Sequence, residues 1–223
     1  MKKARLFGLM IVGLMVLTAS KPKDLKNVVL NDLIAETQYQ FSESSDKTMK
    51  IVWWLPVEFW ATIYAQDELV DESTANMITS ALDNYTMVIV IDGILTDFGD
   101  LKSIDSEIIR KNISITDDKG KVFKPLKDKD IDYDAKMVLN ILKPVFSNLL
   151  GKMGESMEVL MLSNEDKAIL NPYASEGGIN YDEENIDLGL PLASLLKDKE
   201  CLVDGAMMNG KWEYCPFHGK KLN

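Results

Sequence analysis

The residues with the most specific chemistry stand close together near the C-terminus of this 223-residue chain. Cys201-Leu-Val-Asp204-Gly205 is followed by Cys215-Pro-Phe-His218-Gly219, one short unit written twice, and it holds both cysteines and the only histidine. Each copy offers a thiol, two spacers, a second metal-capable side chain and a glycine. A tetrahedral zinc ion takes four donors, and cysteine sulfur, histidine nitrogen and carboxylate oxygen all serve. Two donors separated by two residues can grip one ion from a tight turn. The glycine that follows allows the positive φ that closes such a turn. Cys201, Asp204, Cys215 and His218 are therefore the candidate metal ligands. Four protein ligands leave no open position for water or substrate, so a zinc here is expected to be structural. Between the two units, Asn209-Gly210 is a hairpin turn signal, and Trp212 and Tyr214 alternate as on a strand.

A second chemistry is open to the same residues. In an exported protein two cysteines commonly pair. A Cys201–Cys215 disulfide would close a loop of about 15 residues, worth around 3 kcal/mol in the chain-entropy model. Asp204-Gly205 and His218-Gly219 would then be ordinary turn residues.

The tail resembles a zinc ribbon of the double-knuckle kind, in which C-P-x-C-G units face each other across a hairpin. Trp212-Glu-Tyr-Cys-Pro-Phe-His-Gly219 carries the resemblance most closely. Asp204 and His218 stand where that pattern commonly has cysteines, and Leu202 replaces the first proline. A chain with an export signal, a Trp53-Trp-Leu-Pro-Val-Glu-Phe-Trp60 segment and such a tail looks like uncharacterised exported bacterial proteins. That resemblance implies no activity.

The other end explains the export expectation. Met1-Lys-Lys-Ala-Arg5 is basic, Leu6 to Leu17 is apolar, and Thr18-Ala19-Ser20 is small. This is the layout of a secretory signal peptide cleaved near Ala19 or Ser20, which places the protein in the periplasm or outside the cell. The apolar run is shorter than the 18 or so residues of a membrane span; an uncleaved anchor is the alternative.

Cleavage leaves 22 basic against 35 acidic residues. Nucleic-acid binding needs clustered positive charge, which is lacking. The same excess of acid argues against docking on an anionic membrane, and a partner, if any, is expected to be another protein. Alternating acids from Lys127 to Asp134 lack the glycine and closing glutamate of a calcium loop and fit a solvated loop and helix start. Methionines at 153, 157, 161, 207 and 208 fill core better than they bind copper.

The elements expected to carry the tail form an α+β domain with a mainly antiparallel sheet and packed helices, spanning 49–197, after a polar segment at 21–48 and before the zinc-ribbon-like module at 198–223. Residues 25–34 suit a short helix and Ser42 to Asp46 a linker. Lys50 to Leu55 reads as a strand ended by Pro56, with a helix beginning at Val57. Trp53, Trp54 and Trp60 either fill the core or form a ligand platform. A helix follows Asp71, and Met87 to Ile91 is a strand buried on both faces. Asp92-Gly93 signals a hairpin into Ile94-Leu95, and Asp117 to Gly120 turns a second one. In the helix over 133–150, Met137, Val138, Ile141, Leu142, Val145, Phe146, Leu149 and Leu150 line one face, Pro144 kinks or breaks it, and Gly151 caps it. Met157 to Leu162 and Ile186 to Leu190 are the last strands, separated by a polar, glycine-rich loop.

No nucleophile elbow, Walker loop, dinucleotide fingerprint or zinc-protease motif is present. Any histidine-dependent catalysis would have to use His218. The favoured function is a non-enzymatic exported protein with a structural zinc module for folding or interaction. The alternatives are a reversible zinc-handling protein, or a carboxylate enzyme with a cleft that sets two acids beside Trp53, Trp54 and Trp60.

Overall fold

The computed structural model describes residues 21–41, 47–67, 70–98, 100–164 and 167–223. The stretch expected to be a signal peptide, the expected linker at Ser42 to Asp46 and the side chain of Leu149 lie outside the described residues. The fold is α+β, with five α-helices and antiparallel sheets among the described residues.

The long strand β3 (Tyr85–Leu95) is the axis of the main sheet. Its Met87 to Ile91 run is at most 2% exposed, as a continuous apolar run with both faces covered should be. On one side β3 pairs with β2 (Thr48–Leu55), which in turn pairs with β1 (Gln38–Gln40). On the other side it pairs first with β7 (Met157–Ser163) and then, further along, with β4 (Leu101–Ser103). A second sheet has the order β6 (Val122–Phe123), β5 (Ile113–Thr116), β8 (Gly178–Tyr181), β9 (Glu184–Ile186).

Asp92-Gly93 does not turn the chain. It lies inside β3, opposite Lys50 and Met49 of β2. Glycine is needed there for another reason: a Cβ at Gly93 would stand 2.6 Å from the Lys102 carbonyl oxygen of β4. The hairpin instead forms later, from β3 into β4. Asp117 to Gly120 does turn a hairpin between β5 and β6, with Gly120 at φ 80° and the Asp117 carboxylate accepting from the Lys119 and Lys121 N–H groups.

The helices pack where periodicity places them. Helix α1 (Leu30–Thr37) lies in the N-terminal segment and buries Leu33, while Phe41 beyond it joins the same core. Helix α2 (Val57–Gln66) starts after Pro56. Helix α3 (Glu72–Asp83) is capped by Asp71, whose carboxylate accepts from Thr74 N–H at 2.9 Å. A short α4 (Ser106–Asn112) precedes β5. Helix α5 (Tyr133–Leu150) runs through Pro144 without a break and ends at Gly151, φ 58°. Its apolar face is wider than the body covers. Val138, Leu142 and Phe146 are buried, whereas Met137, Ile141 and Val145 are exposed.

Trp53, Trp54 and Trp60 are core residues, each 4% exposed or less. Trp53 and Trp60 meet Phe146 edge-on at 5.8 and 5.7 Å, and the Trp53 indole N–H donates to Thr37 Oγ1. Rings this buried offer no platform to a ligand. Met161 and Met208 are buried and Met153 and Met157 partly so, while Met207 is 63% exposed.

The final strand falls earlier than its apolar pattern suggests: β9 stops at Ile186. It forms a two-residue hairpin with β8 through Asp182 and Glu183, at φ 49° and 68°. Lys50 Nζ at 2.7 Å and Asn112 Nδ2 at 2.5 Å hold the Asp182 carboxylate, which stabilises a turn usually left to Asn-Gly.

Candidate metal centre

After a short 3₁₀ turn at Ala193–Leu195 the chain enters a small module with its own pair of strands, β10 (Lys199–Glu200) and β11 (Met207–Met208). The first CxxD unit is the loop between them. Cys201 N–H donates to the Ala206 carbonyl at 2.9 Å, and Gly205 N–H, at φ 72°, donates back to the Cys201 carbonyl at 2.8 Å. The second unit repeats this frame. Cys215 N–H donates to Lys220 O at 2.7 Å, and Gly219 N–H, at φ 62°, donates to Cys215 O at 2.8 Å. A bridge from Tyr214 to Lys221 takes the place of the second strand pair. The glycines are thus required by the turn itself, since a left-handed residue with a Cβ costs roughly 1–2 kcal/mol.

Asn209-Gly210 does turn the chain, with Trp212 N–H donating to Asn209 O at 3.0 Å, but no strand follows at Trp212. Gly210 serves close packing: a Cβ there would stand 2.4 Å from Lys197 O. The two knuckles are joined by their ends, where Glu200 and Asn223 exchange backbone hydrogen bonds of 3.0 and 3.3 Å.

These turns aim three donors at one point. Cys201 Sγ lies 3.4 Å and Cys215 Sγ 3.5 Å from His218 Nδ1, and the three ligand atoms lie within 4.8 Å of one another. A tetrahedral ion with Zn–S about 2.3 Å and Zn–N about 2.0 Å would separate sulfur and nitrogen by about 3.5 Å. The spacing fits. Both thiols are buried and unpaired as free cysteines.

Asp204 stands beside this triad rather than within it. Its Oδ2 is 3.9 Å from His218 Nδ1, and its Oδ1 accepts from Ala206 N–H. Of the four residues expected from sequence, three converge and the fourth is adjacent. The Ala206 N–H, the Cys201 thiol and the His218 ring hold Asp204 below the usual carboxylate range. Burial pushes the Cys215 thiol up, but the N–H groups of Phe217 and His218, the His218 ring and Cys201 outweigh it and leave Cys215 lowered. At Cys201 the Val203 N–H favours the thiolate, yet burial, Asp204 and Cys215 leave that thiol raised. A metal needs both thiols as thiolates.

The module has little else to hold it. Its buried cluster is Cys201, Met208, Cys215 and Leu222, with Ala206 against it. Half of that core is cysteine, and a core of this size is normally supplemented by a metal or a disulfide.

A second feature lies on the main domain, and residue types alone did not pick it out. A cleft of about 240 Å³ is lined by Trp54, Glu58, Asp83, Tyr85, Asn164 and Asn171, among others. Glu58, in the first turn of α2, is raised above the ordinary carboxylate range by burial and by the nearby Asp83. Two acids therefore do meet beside one of the tryptophans, although that ring is only 1% exposed.

Among the described residues, no helix is long and apolar enough to cross a membrane. Compared with family models, with curated proteins and with solved structures, the chain matches none.

Proposed function

We propose that this is an exported, non-enzymatic protein whose C-terminal module is folded by a structural zinc ion and serves as an interaction module. Cys201, Cys215 and His218 hold the metal, and Asp204 supplies the fourth ligand, an oxygen, after a small rotation of its side chain. The observation that carries this reading is the convergence of two buried sulfurs on one imidazole nitrogen at 3.4 and 3.5 Å. Zinc binding contributes folding free energy directly where the apo site is not stable.

The test is metal content with a free-thiol count on processed protein recovered from an oxidising compartment. The expected result is about one zinc per chain, with both thiols alkylated only after chelation. No metal and no free thiol would make Cys201–Cys215 a disulfide and overturn the reading. Zinc that exchanges at micromolar affinity with the module still folded would instead make this a reversible zinc-handling protein.

A second reading, a carboxylate-dependent enzyme, rests on the Glu58–Asp83 cleft. Retaining and inverting hydrolases both need one protonated and one ionised acid, and the raised Glu58 suits the first role. A hydrolase screen with chromogenic substrates, run on wild type and Glu58→Gln, decides it: turnover lost in the variant supports the reading, and no turnover in either removes it.

A further inference from the structure

We propose that a cleft on the main domain, between α4, the segment entering the 3₁₀ turn at Asp128–Asp130, and α5, binds the phosphate ester of a small hydroxyl-rich molecule such as a sugar phosphate. The site is separate from the zinc module and does not depend on it. Positive charge is concentrated in one part of this acidic chain. Residues 106–129 hold seven basic and four acidic residues, whereas the remainder of residues 21–223 holds 15 basic and 31 acidic ones. The fold then brings Arg110 and Lys111 of α4, Lys127, and Lys143 of α5 into the lining of one cleft of about 710 Å³.

Some of the cations in this region serve the fold. Lys124 Nζ donates to the Lys111 and Ile113 carbonyls and so closes the C-terminus of α4. Arg110 braces the cleft: its Nη1 donates to Leu126 O at 2.9 Å, and its Nη2 to Glu158 at 2.7 Å and to Asp128 at 3.2 Å. Lys111, Lys127 and Lys143 are different. All three are exposed, and among the described residues none of them has an ion-pair partner. Three uncompensated ammonium groups therefore face a cleft whose guanidinium is already held in place.

The two acids on Arg110 are not equivalent. The Glu158 side chain is 23% exposed and belongs to the floor of the cleft, whereas that of Asp128 is 85% exposed and makes the longer bond. A surface pair of this kind contributes little. The Asp128 carboxylate thus marks a position on the guanidinium that a ligand oxyanion can take, with Asp128 returned to water. A doubly charged phosphate monoester suits this set better than a single carboxylate, because charge-assisted hydrogen bonds to several cations reinforce one another. The cleft is larger than a phosphate group and falls in the roughly 300–1,000 Å³ range of small-molecule sites. Apart from Pro125 and Leu126 its lining is polar, and Ser106 and Glu107 offer hydrogen bonds to hydroxyl groups. A nucleic-acid strand needs a basic stripe, and here the cations end with the cleft.

The experiment is titration calorimetry of the processed protein at low ionic strength, with glucose 6-phosphate, inorganic phosphate and glucose as probes. Glucose 6-phosphate is expected to bind, inorganic phosphate to bind more weakly, and glucose to give no signal. Lys111→Gln, Lys127→Gln and Lys143→Gln should each weaken glucose 6-phosphate by about three- to tenfold. Asp128→Asn should tighten it, because the variant frees Arg110 Nη2 and removes a negative charge. Lys119→Gln makes the same charge change outside the lining and should leave binding as it is. Circular dichroism confirms that each variant is folded. Wild type that does not bind glucose 6-phosphate overturns the site. So does a loss of affinity in Lys119→Gln equal to that in the three cleft variants, or weaker binding in Asp128→Asn. Inorganic phosphate that binds as tightly as the ester overturns the hydroxyl-rich body of the ligand. Phosphatidylglycerol vesicles that retain wild type but not Lys127→Gln, with no binding of glucose 6-phosphate, would assign the same phosphate chemistry to a lipid headgroup and overturn a soluble ligand.

Discussion

Cys201 and Cys215 occupy the same backbone frame. Each amide donates to the carbonyl five residues ahead, at 2.9 and 2.7 Å, and each carbonyl accepts a glycine N–H at 2.8 Å. The twofold repetition in residue type is thus a repetition in hydrogen bonding. It makes two sulfurs equidistant, within 0.1 Å, from one ring nitrogen. This equivalence separates the effects expected of the four candidate ligands.

Removing a sulfur should be worse than removing the carboxylate. Cys201→Ser and Cys215→Ser each delete a donor already in place and are expected to lower zinc affinity by more than about 100-fold. Asp204→Asn alters a weaker oxygen donor that must move to reach the metal, so it should cost only about 10- to 100-fold. Competition against a chromophoric chelator measures all three. Equal losses would mean that Asp204 holds the metal as firmly as either sulfur.

Alanine at the two positive-φ glycines should act through conformation alone. No atom lies within 4 Å of a Cβ built at Gly219, and at Gly205 the nearest is Glu200 Oε1 at 3.6 Å. Each substitution should therefore cost roughly 1–2 kcal/mol, which appears as a roughly tenfold loss of zinc affinity. The melting temperature of the main domain should not move. A loss confined to one of the two knuckles would show that the frames are not equivalent.

The raised Glu58 carries a pH signature. Its folded-state pKa lies above the unfolded value, chiefly through burial. Its contribution to stability is therefore full below the unfolded pKa and is lost as pH rises through the folded value. Asp117 and Asp132, both lowered, act in the opposite direction. The difference between Glu58→Gln and wild type isolates the group: the variant's urea midpoint should gain on the wild type from pH 4 to pH 7. A difference that stays flat with pH would show that Glu58 is not buried against Asp83.

The link between the two sheets offers a stability test away from both sites. Tyr181 OH in β8 donates to Asp92 Oδ2 in β3 at 2.6 Å, and both residues are buried. Burial and that carboxylate push the Tyr181 hydroxyl well above its ordinary range, so it is always a donor. Tyr181→Phe should cost about 1–3 kcal/mol. For a chain of this size that lowers the melting temperature by roughly 2–4 °C per kcal/mol. Tyr39→Phe, on the partly exposed edge strand β1, should change it little.

What could be read along the chain was whatever is decided within a few residues. The spacing and glycines of the two knuckles, the cap at Asp71, the extent of α5 and the turn at Asp117 to Gly120 are local. Their hydrogen bonds close within five residues or their apolar period is internal to one helix. The α+β class followed from the irregular order of such elements.

Only the tertiary structure could settle features made by residues far apart. Asp92-Gly93 is a good hairpin turn by itself, yet pairing with β2 and β4 keeps it in a strand. Asp182-Glu183 is a poor one, yet Lys50 and Asn112 hold it in a turn. Glu58 and Asp83 become neighbours only because α2 and α3 pack together. The same limit separates Asp204 from its three companions. Spacing puts a donor in the knuckle, but the distance from carboxylate to imidazole is set by how the two knuckles meet. The apolar face of α5 is complete in sequence, and how much of it the body covers is a property of the packed domain, which leaves Ile141 and Val145 to the solvent.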